Sequence, residues 1–96
     1  MTSTIDFIQI SGTVLDAPVL TTDDLVEFVV ADDVSRREFL VRLPRTELGA
    51  HVVAGAHVQA AGAAGWVVPG RPWRHEPSRT ILQAHDVQLA ALAFAA

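Results

Sequence analysis

Five short segments of alternating apolar and polar residues, joined by turn-rich connectors, predict an all-β barrel with one short helix. Three observations carry that prediction. Alternation recurs in segment after segment, which is the period of a strand with one buried face. Glycines sit inside those segments, where a closing wall bends, and not only between them. The single stretch of helical character, "RTELGAHVVAGA", falls between the third and fourth segments. Ninety-six residues, half of them apolar, make one domain spanning 1–96 with enough chain to bury a core.

The elements follow in order. In "IDFIQISGTVL" (5–15), Ile8, Ile10, Gly12 and Val14 share one face, and Gln9, Ser11 and Thr13 share the other. Gly12 marks a bulge or a tight bend. "DAPVLTTDD" reads as a connector because it holds a proline, two threonines and an acid pair. "LVEFVVA" (25–31) is the second strand, with Val26, Phe28 and Val30 inward and Glu27 outward. "DDVSRR" turns into "EFLVRL" (38–43), where Phe39, Val41 and Leu43 oppose Leu40 and Arg42. Pro44 ends that strand, and the next stretch supplies one or two helical turns, capped by Thr46 and broken near Gly49 or Gly55. "HVQAAGAAGWVV" (57–68) is the fourth strand, with a row of small residues at Val58, Ala60 and Gly62. "RTILQAHDVQLAAL" (79–92) is the last; its apolar phase slips near His85 and Asp86, which a bulge would absorb. Three strands, a short helix and two more strands is the element order of a five-stranded OB-fold barrel. An SH3-like barrel has its helical turn before the last strand instead.

Composition narrows the function. The absence of cysteine excludes disulfides, thiolate metal sites and thiol nucleophiles. "MTSTIDFIQI" has neither the basic region nor the apolar run of a signal peptide, and no stretch is long and apolar enough for a membrane helix. The expectation is a cytoplasmic protein. Lysine and asparagine are absent and alanine occurs fifteen times, the residue usage of a GC-rich genome. The net charge of −4 counts against a polyanionic partner unless charge is segregated. It is: residues 1–33 carry seven acids and no arginine, whereas all seven arginines fall between 36 and 79.

The patterns "IQISGTVLDAPVL", "VEFVVA", "VVAGAHVQAAGAA" and "RTILQAHDVQL" resemble the strands of the bacterial single-stranded DNA-binding protein family, over most of residues 5–90. The resemblance implies an OB-fold barrel that binds single-stranded DNA as a homodimer or homotetramer, with roles in DNA replication and repair. Members of that family carry an aromatic on the binding face of the third strand, for which Phe39 is the candidate. They also end in a long disordered tail with an acidic tip. A sequence that stops at Ala96 implies a short, tail-less member.

"GWVVPGRPWRHEPSR" (65–79) holds both tryptophans and three of the arginines, in the connection between the last two strands. In an OB-fold that connection flanks the oligonucleotide groove. Bases stack on indole, and guanidinium groups neutralise phosphates. Trp66 and Trp73 are therefore the candidate stacking residues. Arg71, Arg74 and Arg79, with Arg36 and Arg37 from the preceding hairpin and Arg42 from the third strand, are the candidate backbone contacts. Each has a plainer alternative. Trp66 fits burial in the barrel or an interface, Trp73 fits packing against another subunit, and Arg36 and Arg37 fit pairing with Asp32 and Asp33.

Nothing in the sequence assembles an enzyme. His51 and His57 lack a third metal ligand, the acid pairs lack the spacing of a calcium loop, and His75 with Ser78 lacks an orienting acid. No phosphate-binding or dinucleotide glycine motif is present, so neither a cofactor nor a metal is expected. Two functions stay open: single-stranded DNA binding without sequence preference, with RNA open beside DNA, or a protein-interaction subunit that uses the Trp/Arg loop and the apolar "LAALAFAA" end as contacts.

Overall fold

The computed structural model describes residues 6–50 and 52–89. They form β1 (Asp6–Val14), β2 (Val19–Leu20), β3 (Leu25–Asp32), β4 (Glu38–Pro44), β5 (His57–Val68) and β6 (Arg79–Leu89). Five of these strands close a ring in the order β1–β5–β6–β4–β3, with β1 pairing back onto β3. All neighbours are antiparallel except β4 and β6. This closure is what leaves a single interior for the alternating apolar residues to share.

The alternation read from the sequence is the alternation of burial. Ile10 and Val14 of β1, Val26, Phe28 and Val30 of β3, Phe39, Val41 and Leu43 of β4, Val58 and Ala60 of β5, and Leu82, Ala84 and Val87 of β6 make one core cluster. The phase slip in β6 is a bulge: Asp86 faces Ala61 and Ala84 faces Gly62, so His85 is the unopposed residue. Gly12 carries no bulge. It pairs with Val58 on one side and Asp32 on the other, at the point where β1 passes from β5 to β3. A Cβ there would overlap the Ala31 carbonyl, so only glycine permits the two walls to meet.

Three expectations change. The connector 16–24 contains β2, whose Val19 and Leu20 pair with Glu27 and Val26 across a turn in which Asp24 takes φ 61°. The helix reduces to one 3-10 turn, Arg45–Glu47. Pro44, in extended geometry, precedes it, and no side chain caps it, so Thr46 does not act as a cap. A segment this short between Pro44 and Gly49 cannot repay the cost of nucleating an α-helix. Phe39 is only 7% exposed and belongs to the core, so it is not an outward aromatic. His51 and the 90–96 part of the apolar end lie outside the described residues.

Candidate nucleic-acid interface

Strict alternation along β5 would send Trp66 inward with Val58, Ala60, Gly62 and Ala64. It does not go there. Ala64 opposes Leu82, the next pair is Trp66 with Ile81, and Gly65 is the extra residue between them. The bulge reverses the facing of everything beyond it. Trp66 is thereby turned onto the outer surface, 53% exposed.

Paired residues share a face of a sheet, so the registers define what surrounds Trp66. Val29, Leu40, Ile81 and Trp66 form one row across β3, β4, β6 and β5. Val29 is 7% exposed, so the row begins as packed apolar surface and ends in an accessible indole. A polar row flanks it on each side, two residues or about 7 Å away along the strands. On one side are Glu27, Arg42 and Gln83, and on the other Glu38 and Arg79. Arg42 Nε donates to Glu27 Oε2 at 2.6 Å, and Arg79 Nε donates to Glu38 Oε1 at 2.9 Å. Both pairs are partly buried, so solvent screens them less than pairs at the rim.

Beyond the sheet, the β5–β6 connection folds into a built loop. Pro72–Arg74 is a 3-10 turn, and His75 follows in the left-handed region at φ 56°. The Arg71 carbonyl accepts from the backbone N–H of Arg74 and of Glu76. Gly70 lies where any Cβ would overlap the Glu76 carbonyl, which lets the two limbs of the loop touch. This geometry carries Glu76 back between two arginines: one carboxylate oxygen is 3.7 Å from Arg71 Nε, the other 4.0 Å from Arg74 Nε. Trp73 projects from the turn, 78% exposed.

The β3–β4 hairpin supplies the third part. Asp32 organises it, because one carboxylate oxygen accepts from both the Ser35 N–H and the Ser35 hydroxyl. Partial burial pushes the Asp32 carboxyl up, but these bonds and the backbone N–H groups of Ser11 and Val34 outweigh it and hold the group below the usual aspartate value. Arg36 closes the turn at φ 64°. Arg36 and Arg37 then line a groove of about 450 Å³ with Glu38, Val67, Pro77, Ser78 and Thr80. Among the described residues, no carboxylate lies within ion-pairing distance of Arg36 or Arg37. Asp32 is occupied by Ser35, and Asp33 holds Nε2 of His57.

The eight residues singled out from the sequence therefore occupy three adjoining places. Trp66, Arg42 and Arg79 share the outer face. Trp73, Arg71 and Arg74 share the loop. Arg36 and Arg37 line the groove with Val67 and Thr80, which face the opposite side of the hairpin from Trp66 and Ile81. Neither tryptophan is buried. Sequence reasoning missed Val29, Leu40 and Ile81. Leu40 carried a signal, since an apolar residue on an outward parity is surplus to the core. It also missed that Glu27, Glu38 and Glu76 neutralise most of the arginines. No cluster of metal-ligating side chains occurs among the described residues, and no helix among them is long and apolar enough to cross a membrane.

A closed five-strand ring, with a ligand-accessible outer face flanked by the β3–β4 and β5–β6 connections, defines an OB-fold barrel. Solved structures share it along nearly their whole length. A small single-stranded DNA-binding protein from Streptomyces coelicolor superposes with a TM-score of 0.71 at 18% identity, covering 96% of this chain and 98% of that one. The second single-stranded DNA-binding protein of Mycobacterium smegmatis gives 0.66 at 19% identity, covering 97% and 99%. Rim1, a mitochondrial single-stranded DNA-binding protein of Saccharomyces cerevisiae, gives 0.66 at 16% identity, covering 90% and 95%. No family model and no curated protein matches the sequence.

Proposed function

We propose that this chain binds single-stranded DNA with little sequence preference, as a binding protein and not a catalyst. The observation that carries the reading is the apolar row ending in exposed Trp66 on the outer barrel face, with Trp73 exposed at the adjoining loop. Stacking on an indole tolerates any base, because every base offers a π-face. Aliphatic Leu40 and Ile81 continue the surface on which bases lie, Trp73 adds a second stacking group at the loop, and Arg36 and Arg37 take phosphates through the groove. Arg42 and Arg79 border the row, each tied to a glutamate. The three solved neighbours, single-stranded DNA-binding proteins, support the same reading. The assembly we propose is a homodimer or homotetramer: the edge of β1 opposite β5 from Asp6 to Ile10 has no strand partner among the described residues, and Phe7 stands 78% exposed beside it.

Titrating the protein with a short oligothymidine at low salt, while following tryptophan fluorescence and solution mass, tests both parts. Quenching that reverses with salt is expected, and the mass should exceed that of one chain. Unchanged fluorescence at low salt overturns the DNA reading in favour of a protein-interaction role. The salt dependence should be shallow. A single strand contributes a slope of about −0.7 per phosphate neutralised, so Arg36, Arg37 and the one net positive charge of the Arg71–Arg74–Glu76 group predict roughly −2.1.

A further inference from the structure

Five of the seven arginines have a carboxylate beside them, but the five pairs are not alike. Arg42–Glu27 and Arg79–Glu38 are short hydrogen-bonded contacts within a sheet. Arg45–Asp24 is an exposed pair beyond the proposed interface. At the β5–β6 loop one carboxylate serves two guanidinium groups, at 3.7 and 4.0 Å, with more than half of each arginine side chain exposed. Ion pairs this loose and this wet hold the fold together only weakly, so a phosphate can displace the carboxylate, and at low salt the work of displacing it lowers strand affinity. The loop backbone does not need them. Its shape is held by the bonds to the Arg71 and Pro72 carbonyls and by the close approach at Gly70.

We propose that Glu76 is an internal competitor for phosphate, occupying Arg71 and Arg74 and so setting the affinity and salt dependence of strand binding. The inference rests on the single-stranded DNA reading and names a residue that regulates that site. With Glu76 ionised, the Arg71–Arg74–Glu76 group carries one net positive charge; with a neutral residue there it carries two. Arg71 and Arg74 also bracket Trp73, so the added charge appears beside a stacking group.

Oligothymidine affinity measured from 50 mM to 1 M salt tests this on wild type, Glu76→Gln, Glu76→Ala and Glu47→Gln. One further unit of charge should steepen the slope by about 0.7, which makes Glu76→Gln bind roughly eightfold tighter at 50 mM and converge with wild type near 1 M. Glu76→Ala should move in the same direction, and thermal melting of both should match wild type. Glu47→Gln changes the total charge equally but lies in the 3-10 turn after β4, and should leave the slope alone. Unchanged or weaker binding by both Glu76 variants, while wild type binds, overturns the competitor role. Equal strengthening by Glu47→Gln also overturns it, because total charge would then suffice. If wild type itself fails to bind, the underlying DNA reading falls.

Discussion

The two halves of the β5–β6 hairpin are built from the same two strands and do opposite things. From His57 to Ala64, β5 alternates, burying Val58, Ala60 and Gly62 against β1 and β6. From Gly65 to Val68, every residue is exposed. The strands remain paired through Trp66–Ile81, Val67–Thr80 and Val68–Arg79, so hydrogen bonding does not distinguish the halves. The difference is one bulge, combined with the third wall: among the described residues, β1 pairs with β5 no farther than Ala64. A ladder that is part of a closed ring must bury a face; the same ladder running past the ring presents both faces to solvent and is free to carry binding groups.

Substitutions separate the two halves, and the largest effect belongs to the buried one. Leu82→Ala removes a side chain with no exposure in the core and should cost about 2–5 kcal/mol in chemical denaturation, as lost transfer energy plus a cavity. Its folded fraction should still bind oligonucleotide like wild type. Trp66→Ala inverts that pattern. Stability should stay within about 0.5 kcal/mol, as for a surface change, whereas oligothymidine binding should weaken by about 1–3 kcal/mol. If Trp66→Ala destabilises as much as Leu82→Ala, the row is core after all and the contrast between the halves fails.

Asp32→Asn comes next, at about 1 kcal/mol, because it weakens two bonds accepted by a charged oxygen in the hairpin that carries Arg36 and Arg37. Its signature is in pH. A carboxyl held below its unfolded value stabilises the fold above the ordinary aspartate range, and that contribution disappears as pH falls through the folded value. Wild type should thus lose its advantage over Asp32→Asn on acidification below that range, and keep it at neutral pH. The smallest effect is expected at Arg45→Gln, whose pair with Asp24 is exposed on both sides. Melting and binding should each change by less than about 0.5 kcal/mol. A marked loss of binding there would extend the interface to a region outside the three places described.

Much of this was legible beforehand, for identifiable reasons. Val26, Phe28 and Val30, or Phe39, Val41 and Leu43, declare an inner face through local period alone, and the slip at His85 declares its own bulge. The 3-10 turn after Pro44 was overread as helix because a segment's apolar content does not reveal whether it is long enough to nucleate. Trp66 was ambiguous because its parity is that of the core, and only Gly65 changes it. Glu27 and Glu38 were missed for a different reason. Glu27 and Arg42 are 15 residues apart, and Glu38 and Arg79 are 41 apart, so no local pattern links them.

By itself the sequence determined which residues point together along each strand, where the strands stop, and that the aromatic and basic groups gather late in the chain. Those are properties of neighbours, governed by a two-residue repeat and by the backbone limits of proline and glycine. Tertiary structure alone decided which way Trp66 faces and which arginines retain an uncompensated charge. Both depend on register between distant strands, where a shift of a single residue reverses a face and exchanges an ion-pair partner.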